Sequence, residues 1–149
     1  MRAVVQRVRQ ASVEVGGEVV GRISAGLLVY AGAASDDTDE DVTYIADKVA
    51  HLRIFRDQND KMNLDVGQVG GAVLLVSAFT VQADARKGRR PSFDSCAPGE
   101  IAEPVIEKLA DTIRAYGLKV ETGRFAAYMQ VAAVNDGPIC ILLDSRRVV

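Results

Sequence analysis

The sequence predicts a one-domain α+β fold, and three observations carry that expectation. Apolar runs of strand length recur along the chain, only two segments show helical periodicity, and strands and helices do not alternate as βαβ units would. The 149 residues suit a single domain over 1–149 with room for a substantial core.

Arg2–Gln10 alternates side chains as a half-buried strand does, with Ala3, Val5 and Arg7 on one face and Val4, Gln6 and Val8 on the other. Ser12–Val15 continues it, Gly16-Gly17 supplies a hairpin turn, and Glu18–Ile23 returns. Gly26–Gly32 is apolar throughout and reads as a buried strand. Asp36–Asp41 is acidic, as suits a helix N-terminus, and Thr38 and Asp41 have the spacing of a capping box. The helix expected over Thr38–Arg53 aligns Val42, Ile45, Ala46, Val49 and Leu52 on one face.

Asp57–Lys61 reads as a polar loop and Ala72–Val76 as a buried strand running into Ser77-Ala78-Phe79-Thr80, followed by an irregular Gln82–Phe93. A second helix is expected over Pro98–Tyr116, with Ile101, Val105, Leu109, Ile113 and Tyr116 on one face, Pro104 in its first turns and Gly117 as its stop. Strands at Lys119–Thr122, Tyr128–Val134 and Ile139–Asp144 end the chain, and Asn135-Asp136-Gly137-Pro138 reads as the hairpin turn joining the last two. Pro138 is awkward there, because it removes an N–H where the returning strand should begin to pair.

The bulk composition excludes several function classes. No apolar stretch approaches the ~20 residues that span a bilayer. Charges at Arg2 and Arg7 interrupt the place where a signal peptide needs its apolar region, so the expected location is the cytoplasm and no membrane partner is expected. Net charge is −2, so any nucleic-acid contact must come from a local basic patch. His51 is the single histidine, and Cys96 and Cys140 are dispersed, which argues against a His/Cys metal site; no metal or cofactor is expected. His51 itself suits a surface position on its helix, and Cys140 suits a buried strand position better than that of a nucleophile.

Two further stretches can carry chemistry. Arg86-Lys87-Gly88-Arg89-Arg90 packs four cations into five residues; it is either a solvated loop or a clamp for RNA phosphates that does not read sequence. Ser77-Ala78-Phe79-Thr80 lies where a buried strand emerges into an irregular segment. Phe79 and Thr80 are ordinary core and strand residues on one reading; on the other, their backbone amides are oxyanion donors, which needs no histidine.

Together these stretches resemble the D-aminoacyl-tRNA deacylase family over almost the whole chain. The similar pieces are Met1–Val8, Leu52-Arg53-Ile54-Phe55 with Lys61-Met62-Asn63-Leu64, Lys87–Phe93 and Glu121–Phe125. Ser77-Ala78-Phe79-Thr80 falls at the family's Ser-Gln-Phe-Thr motif, and Asn135-Asp136-Gly137-Pro138 at its Asn-x-Gly-Pro motif.

The resemblance implies a mostly antiparallel, barrel-like sheet with two main helices, and a homodimer with a cross-subunit active site. It implies hydrolysis of the ester at the 3′ acceptor end of D-aminoacyl-tRNA, with glycyl-tRNA mischarged on tRNA(Ala) as a second substrate. Gly137 and Pro138, joined by a cis bond, would select chirality in the partner's pocket, their carbonyl oxygens holding the substrate's α-amino group. Ser77, Phe79 and Thr80 would be catalytic, and Arg86, Lys87, Arg89 and Arg90 would bind tRNA. Two positions depart from the pattern: Ala78 replaces the motif glutamine, and Ile139-Cys140 stands where valine and threonine are more usual. Three alternatives follow from these departures: an editing enzyme with an altered substrate, a tRNA-binding homologue with weakened catalysis, and a cysteine hydrolase.

Overall fold

Arg2–Val15 contains neither glycine nor proline, and in the computed structural model, which describes residues 1–149, it forms one continuous 14-residue strand, β1. One edge of β1 is shared. Arg2–Val8 pairs antiparallel with β3 (Gly26–Gly32), and Ala11–Val15 pairs antiparallel with β2 (Glu18–Ile23) across the Gly16-Gly17 turn. At the handover from β3 to β2 the sheet folds back on itself.

β3 then pairs in parallel with β6 (Ala72–Ser77), and β6 in parallel with β7 (Lys119–Thr122), giving the order β2-β1-β3-β6-β7. β2 returns across the end of this array. A Cβ on Gly21 would lie 2.5 Å from the Thr122 carbonyl oxygen, so only glycine lets the backbones approach and nearly close a barrel. The expected α+β fold with a mostly antiparallel, barrel-like sheet and two main helices is present, with two parallel pairings inside it. A small hairpin, β4 (Phe55–Arg56) with β5 (Met62–Leu64), flanks the expected Asp57–Lys61 loop.

The central strands are apolar on both faces because both faces are covered. Leu28, Leu74 and Val76 meet Val8, Val13 and Ile23 inside the fold. Val5, Leu27, Val29 and Leu75 face the opposite way, against the helices. The first helix, α1 (Asp39–His51), buries Val42, Ile45, Ala46, Val49 and Ala50, and Thr38 is its N-cap. The expected pairing of Thr38 with Asp41 is present: the Asp41 carboxylate accepts from the Thr38 N–H at 2.7 Å and from its hydroxyl at 3.0 Å.

The second helix, α2 (Gly99–Ala115), buries Ala102, Ile106, Leu109, Ala110 and Ile113. The expected stripe is thus corrected at its ends, where Ile101 is 49% and Tyr116 42% exposed. The face of α2 that meets the core runs through Ala102, Ile106 and Ala110, which leaves Ile101 and Tyr116 outside it. Pro104 lies within α2, which begins ahead of it at Gly99.

The largest correction concerns the C-terminal end. Tyr128–Val134 and Ile139–Asp144 are not the arms of a hairpin. Gln130–Asp144 is one strand, β8, antiparallel to the free edge of β1 along nearly its whole length. Both apolar runs pair with the same neighbour, so the segment between them bulges and does not reverse.

The chain end is stitched to the start of α1. The Ser145 hydroxyl donates to Asp41 at 2.5 Å, and the Arg146 guanidinium pairs with Asp36 at 2.9 Å. Burial opposes ionisation of Asp41, but hydrogen bonds from Ser145 and Thr38 outweigh it and hold its carboxyl well below the usual range. A depressed folded-state pKa contributes stability above the unfolded value of about 4, which is lost as pH falls through the folded value. Replacing Asp41 by Asn is therefore expected to lower stability at neutral pH and to flatten its fall below about pH 4, measured by urea unfolding across that range.

Candidate active site

The bulge in β8 begins with a mismatch of register. Gln6 pairs with Cys140 and Val8 with Asn135, so β8 spends three more residues than β1 between these two pairings. The surplus, centred on Asp136-Gly137-Pro138, is pushed out of the ladder. Asn135 closes the bulge with both ends of its amide: Ile139 N–H donates to Asn135 Oδ1 at 2.8 Å, and Asn135 Nδ2 donates to the Ile139 carbonyl at 3.2 Å.

Arg7 lies beneath it. This arginine is only 5% exposed, and its Nη1 donates to the Ile54 carbonyl at 2.6 Å while Nε donates to the Asp136 carbonyl at 2.9 Å. The Asp136 carboxylate sits 3.6 Å from the same Nε. Gly137 has φ +143°, and a Cβ there would lie 2.7 Å from Ile139 Cγ1 and 3.3 Å from Arg7 Nη2. The Gly137–Pro138 peptide bond is cis, and both residues are exposed.

A second feature lies elsewhere. Beyond Ser77, the last residue of β6, Phe79–Gln82 forms a short 3-10 turn. Its bonds start with Val81 N–H to the Ala78 carbonyl and end with Ala83 N–H to the Thr80 carbonyl, which leaves the Phe79 and Thr80 N–H groups ahead of the first bond. Ser77, Ala78, Phe79 and Thr80 line one side of an apolar cavity of about 840 Å³, and Phe125–Met129 lines another. Ala126, in that segment, holds φ +60°, the left-handed region that side chains usually avoid. Phe79 packs edge-on against Phe93 at 5.2 Å, and Tyr128, 86% exposed, stands at the rim.

The remaining candidates fall outside or at the margin of the cavity. Gly137 and Pro138 do not line it within one chain. Lys87, Arg89 and Arg90 are exposed in a loop closed by paired Asp84 and Ser92, with no carboxylate partner. Arg86 is tied back: its guanidinium grips Asp84 at 2.6 and 2.9 Å and holds that carboxyl well below its usual range.

Cys140 is exposed, which corrects the buried-strand expectation; β8 is an edge strand there, and the thiol's one hydrogen bond is with the Gln6 amide at 3.8 Å. Cys96 does line the cavity, but burial and neighbouring Asp94 push its pKa up, which favours the thiol over the nucleophilic thiolate. His51 is on an exposed flank of α1, bonded to Asp47 and edge-on to Tyr116. No group of three or more His, Cys, Asp or Glu side chains is arranged to hold a metal. No helix is long and apolar enough to cross a membrane.

A cavity with paired free amides, beside a strand whose bulge displays Gly137-Pro138, occurs here in a chain with clear relatives. The profile of a family described as D-Tyr-tRNA(Tyr) deacylase matches residues 4–144. The chain belongs to that family. It is 57% identical over 147 residues to a D-aminoacyl-tRNA deacylase of Anaeromyxobacter dehalogenans strain 2CP-C, covering 99% of both chains. With the D-aminoacyl-tRNA deacylase of Thermosipho africanus strain TCF52B it shares 53% identity over 148 residues, again 99% of each. Among solved structures, one called c-Myc DNA Unwinding Element Binding Protein aligns with a TM-score of 0.92 at 38% identity, over 97% of this chain and 98% of that one. A probable eukaryotic D-amino acid tRNA deacylase, at 17% identity, shares the fold with a TM-score of 0.83 over 95% and 97% of the two chains.

Sequence reasoning missed Arg7 and the clip made by Asn135. The signal for Arg7 was present, since a cation on the same strand face as Ala3 and Val5 needs a buried polar partner. Replacing Arg7 by Met leaves the Ile54 and Asp136 carbonyls without their donor, and is expected to cost about 1–3 kcal/mol. Gly137→Ala, pressed against Ile139 and Arg7, is expected to destabilise by a similar ~1–3 kcal/mol. The exposed Cys140→Ala is expected to stay within about 0.5 kcal/mol of the parent. Denaturant unfolding of the three variants tests the ordering.

Proposed function

We propose that this protein hydrolyses the ester between a D-amino acid and the terminal adenosine of tRNA, as a homodimer whose subunits complete one another's sites. Membership of the family makes it a D-aminoacyl-tRNA deacylase, a hydrolase that acts in editing. The observation that carries the finer reading is the pair of Phe79 and Thr80 amides, unpaired in their own turn and carried by residues that line an apolar cavity without a histidine.

In this reading water attacks the ester carbonyl carbon, and the oxyanion that forms accepts hydrogen bonds from those two amides. Each such donor is worth about 2.7–4 kcal/mol in comparable sites. Collapse expels the ribose oxygen, which takes up a proton, and free D-amino acid and tRNA leave. The Thr80 hydroxyl orients the ester or the water, Ser77 shapes the wall beside it, and the neighbouring ribose hydroxyl of the substrate assists the proton's movement. The mechanism asks nothing of the side chain at position 78, so Ala78 is compatible with activity.

Enantioselection belongs to Gly137 and Pro138 of the second subunit. Their carbonyl oxygens hold the substrate's α-amino group, and an L-side chain would then collide with backbone. Two features support the cross-subunit arrangement. Gly137 and Pro138 are exposed and do not line their own chain's cavity, and the outer edge of β8 is unpaired, with Val134 and Leu142 exposed along it. Glycyl-tRNA mischarged on tRNA(Ala), with no side chain to reject, is included as a second substrate. Lys87, Arg89 and Arg90 are assigned to tRNA phosphates, with Arg86 bracing the loop through Asp84. The cytoplasm, where aminoacyl-tRNA is used, is the proposed location.

Purified protein is expected to deacylate D-aminoacyl-tRNA and spare the matched L-form. Equal cleavage of both overturns the chiral assignment, and tRNA binding with no cleavage points to a homologue without catalysis. Removing Lys87, Arg89 and Arg90 together is expected to weaken tRNA binding and to shrink the salt slope by about 0.7–0.9 for each phosphate no longer neutralised. Unchanged binding across a salt titration removes the loop from the interface.

A further inference from the structure

We propose that Gln82 is the positioning residue that aims the Phe79 and Thr80 amides, a role that rests on those amides being the oxyanion donors. Residues 77–83 carry only one amide side chain, that of Gln82, because position 78 is alanine. Gln82 is 5% exposed and does not line the cavity, so it acts on the turn and not on substrate.

Its Nε2 donates to the Gly32 carbonyl at 2.7 Å, across from the turn to the end of β3. The same glycine is the seat of the turn. A Cβ on Gly32 would lie 2.7 Å from the Ala78 carbonyl oxygen and 2.7 Å from Val81 Cγ2, so the turn rests directly on the strand backbone. A four-residue 3-10 segment has poor hydrogen-bond geometry of its own and needs such an anchor.

Two weaker hydrogen bonds work in the same direction. The Ser95 hydroxyl donates to the Gln82 carbonyl at 3.3 Å, and the Cys96 thiol to the Phe79 carbonyl at 3.5 Å. The segment bearing them is itself held on the chain after β3, by Ser35 N–H to the Ser95 carbonyl and Ala97 N–H to the Ala33 carbonyl, both at 3.0 Å. The Phe79 carbonyl and the Thr80 N–H belong to one planar trans peptide unit, so holding the oxygen on one side fixes where the N–H points on the other. Gln82 pins the far end of the same turn. The aim of both amides is thereby referred to Gly32, the last residue of the central strand β3. Stabilisation of a developing charge depends on such aim, and a displacement of about 1 Å costs on the order of 100-fold in rate.

The test is Gln82→Met, which keeps length and apolar bulk but cannot donate. Its kcat on D-aminoacyl-tRNA is expected to fall about 10- to 100-fold with KM within about twofold and the preference for D over L retained. The backbone amide NMR resonances of Phe79, Thr80 and Val81 in the free protein are expected to move. A KM increase at constant kcat, or amide resonances that stay in place, overturns the proposal. Should Gln82→Met fail to fold, Ser95→Ala, which removes an exposed hydroxyl, is read by the same resonances, and their constancy overturns it. A parent protein that cleaves no D-aminoacyl-tRNA sinks the functional reading instead, and the resonances still decide whether Gln82 holds the turn.

Discussion

The pairing of β8 with β1 is the constraint on which the rest depends. β1 gives one edge to β8 and divides the other between β3 and β2, so a single strand joins both halves of the barrel. Side chains alternate along such a strand, and a slip by one residue would exchange its buried and exposed faces. The register is therefore held firmly on either side of the bulge, and the surplus residues have only one way out. Arg7 occupies the gap and bonds to Asp136 from beneath. Its second bond, to Ile54 near the end of α1, ties the bulge to the helical layer as well.

The chemistry proposed for this frame is mainly that of the backbone. Both candidate elements, the Gly137-Pro138 bulge and the Phe79–Thr80 amides, are main-chain groups held in place by buried side chains. The histidine and cysteines are poorly placed or poorly poised as nucleophiles: His51 is on a helix surface, Cys140 is on an open edge, and Cys96, which lines the cavity, has its pKa pushed up by burial. A backbone dipole cannot be titrated away near neutral pH, and its strength depends on direction. Such a site relies on rigidity, which explains why its supporting residues, Arg7 and Gln82, are among the few buried polar side chains.

Much of this was legible in the sequence. Alternation located the start of β1, continuous apolar runs located β3 and β6, the Thr38–Asp41 spacing located the start of α1, and the order of elements excluded an alternating βαβ array. The resemblance marked the Phe79–Thr80 and Gly137–Pro138 positions. The hairpin at Asn135–Pro138 failed because a turn and a long bulge use the same residue types; the difference lies in which strand each arm pairs with, and that is a non-local fact. The α2 stripe was rotated at its ends for a similar reason, since the face that meets the core is decided by the elements packed against it, and α2 buries Ala102 and Ala110 where Ile101 and Tyr116 were expected. Arg86 looked equivalent to its basic neighbours until Asp84 was found holding it.

The sequence by itself determined the fold class, the two helices and the family, and it offered a single histidine with no catalytic motif around it. These rest on periodicity, composition and local motifs, which need no knowledge of what lies across the sheet. Only the tertiary structure decided that Arg7 supports Gly137, that Gln82 rests on Gly32, and that the two candidate elements lie apart within one chain. Each of those facts joins residues distant in sequence, and burial of a polar group is satisfied only by whatever the fold brings to meet it.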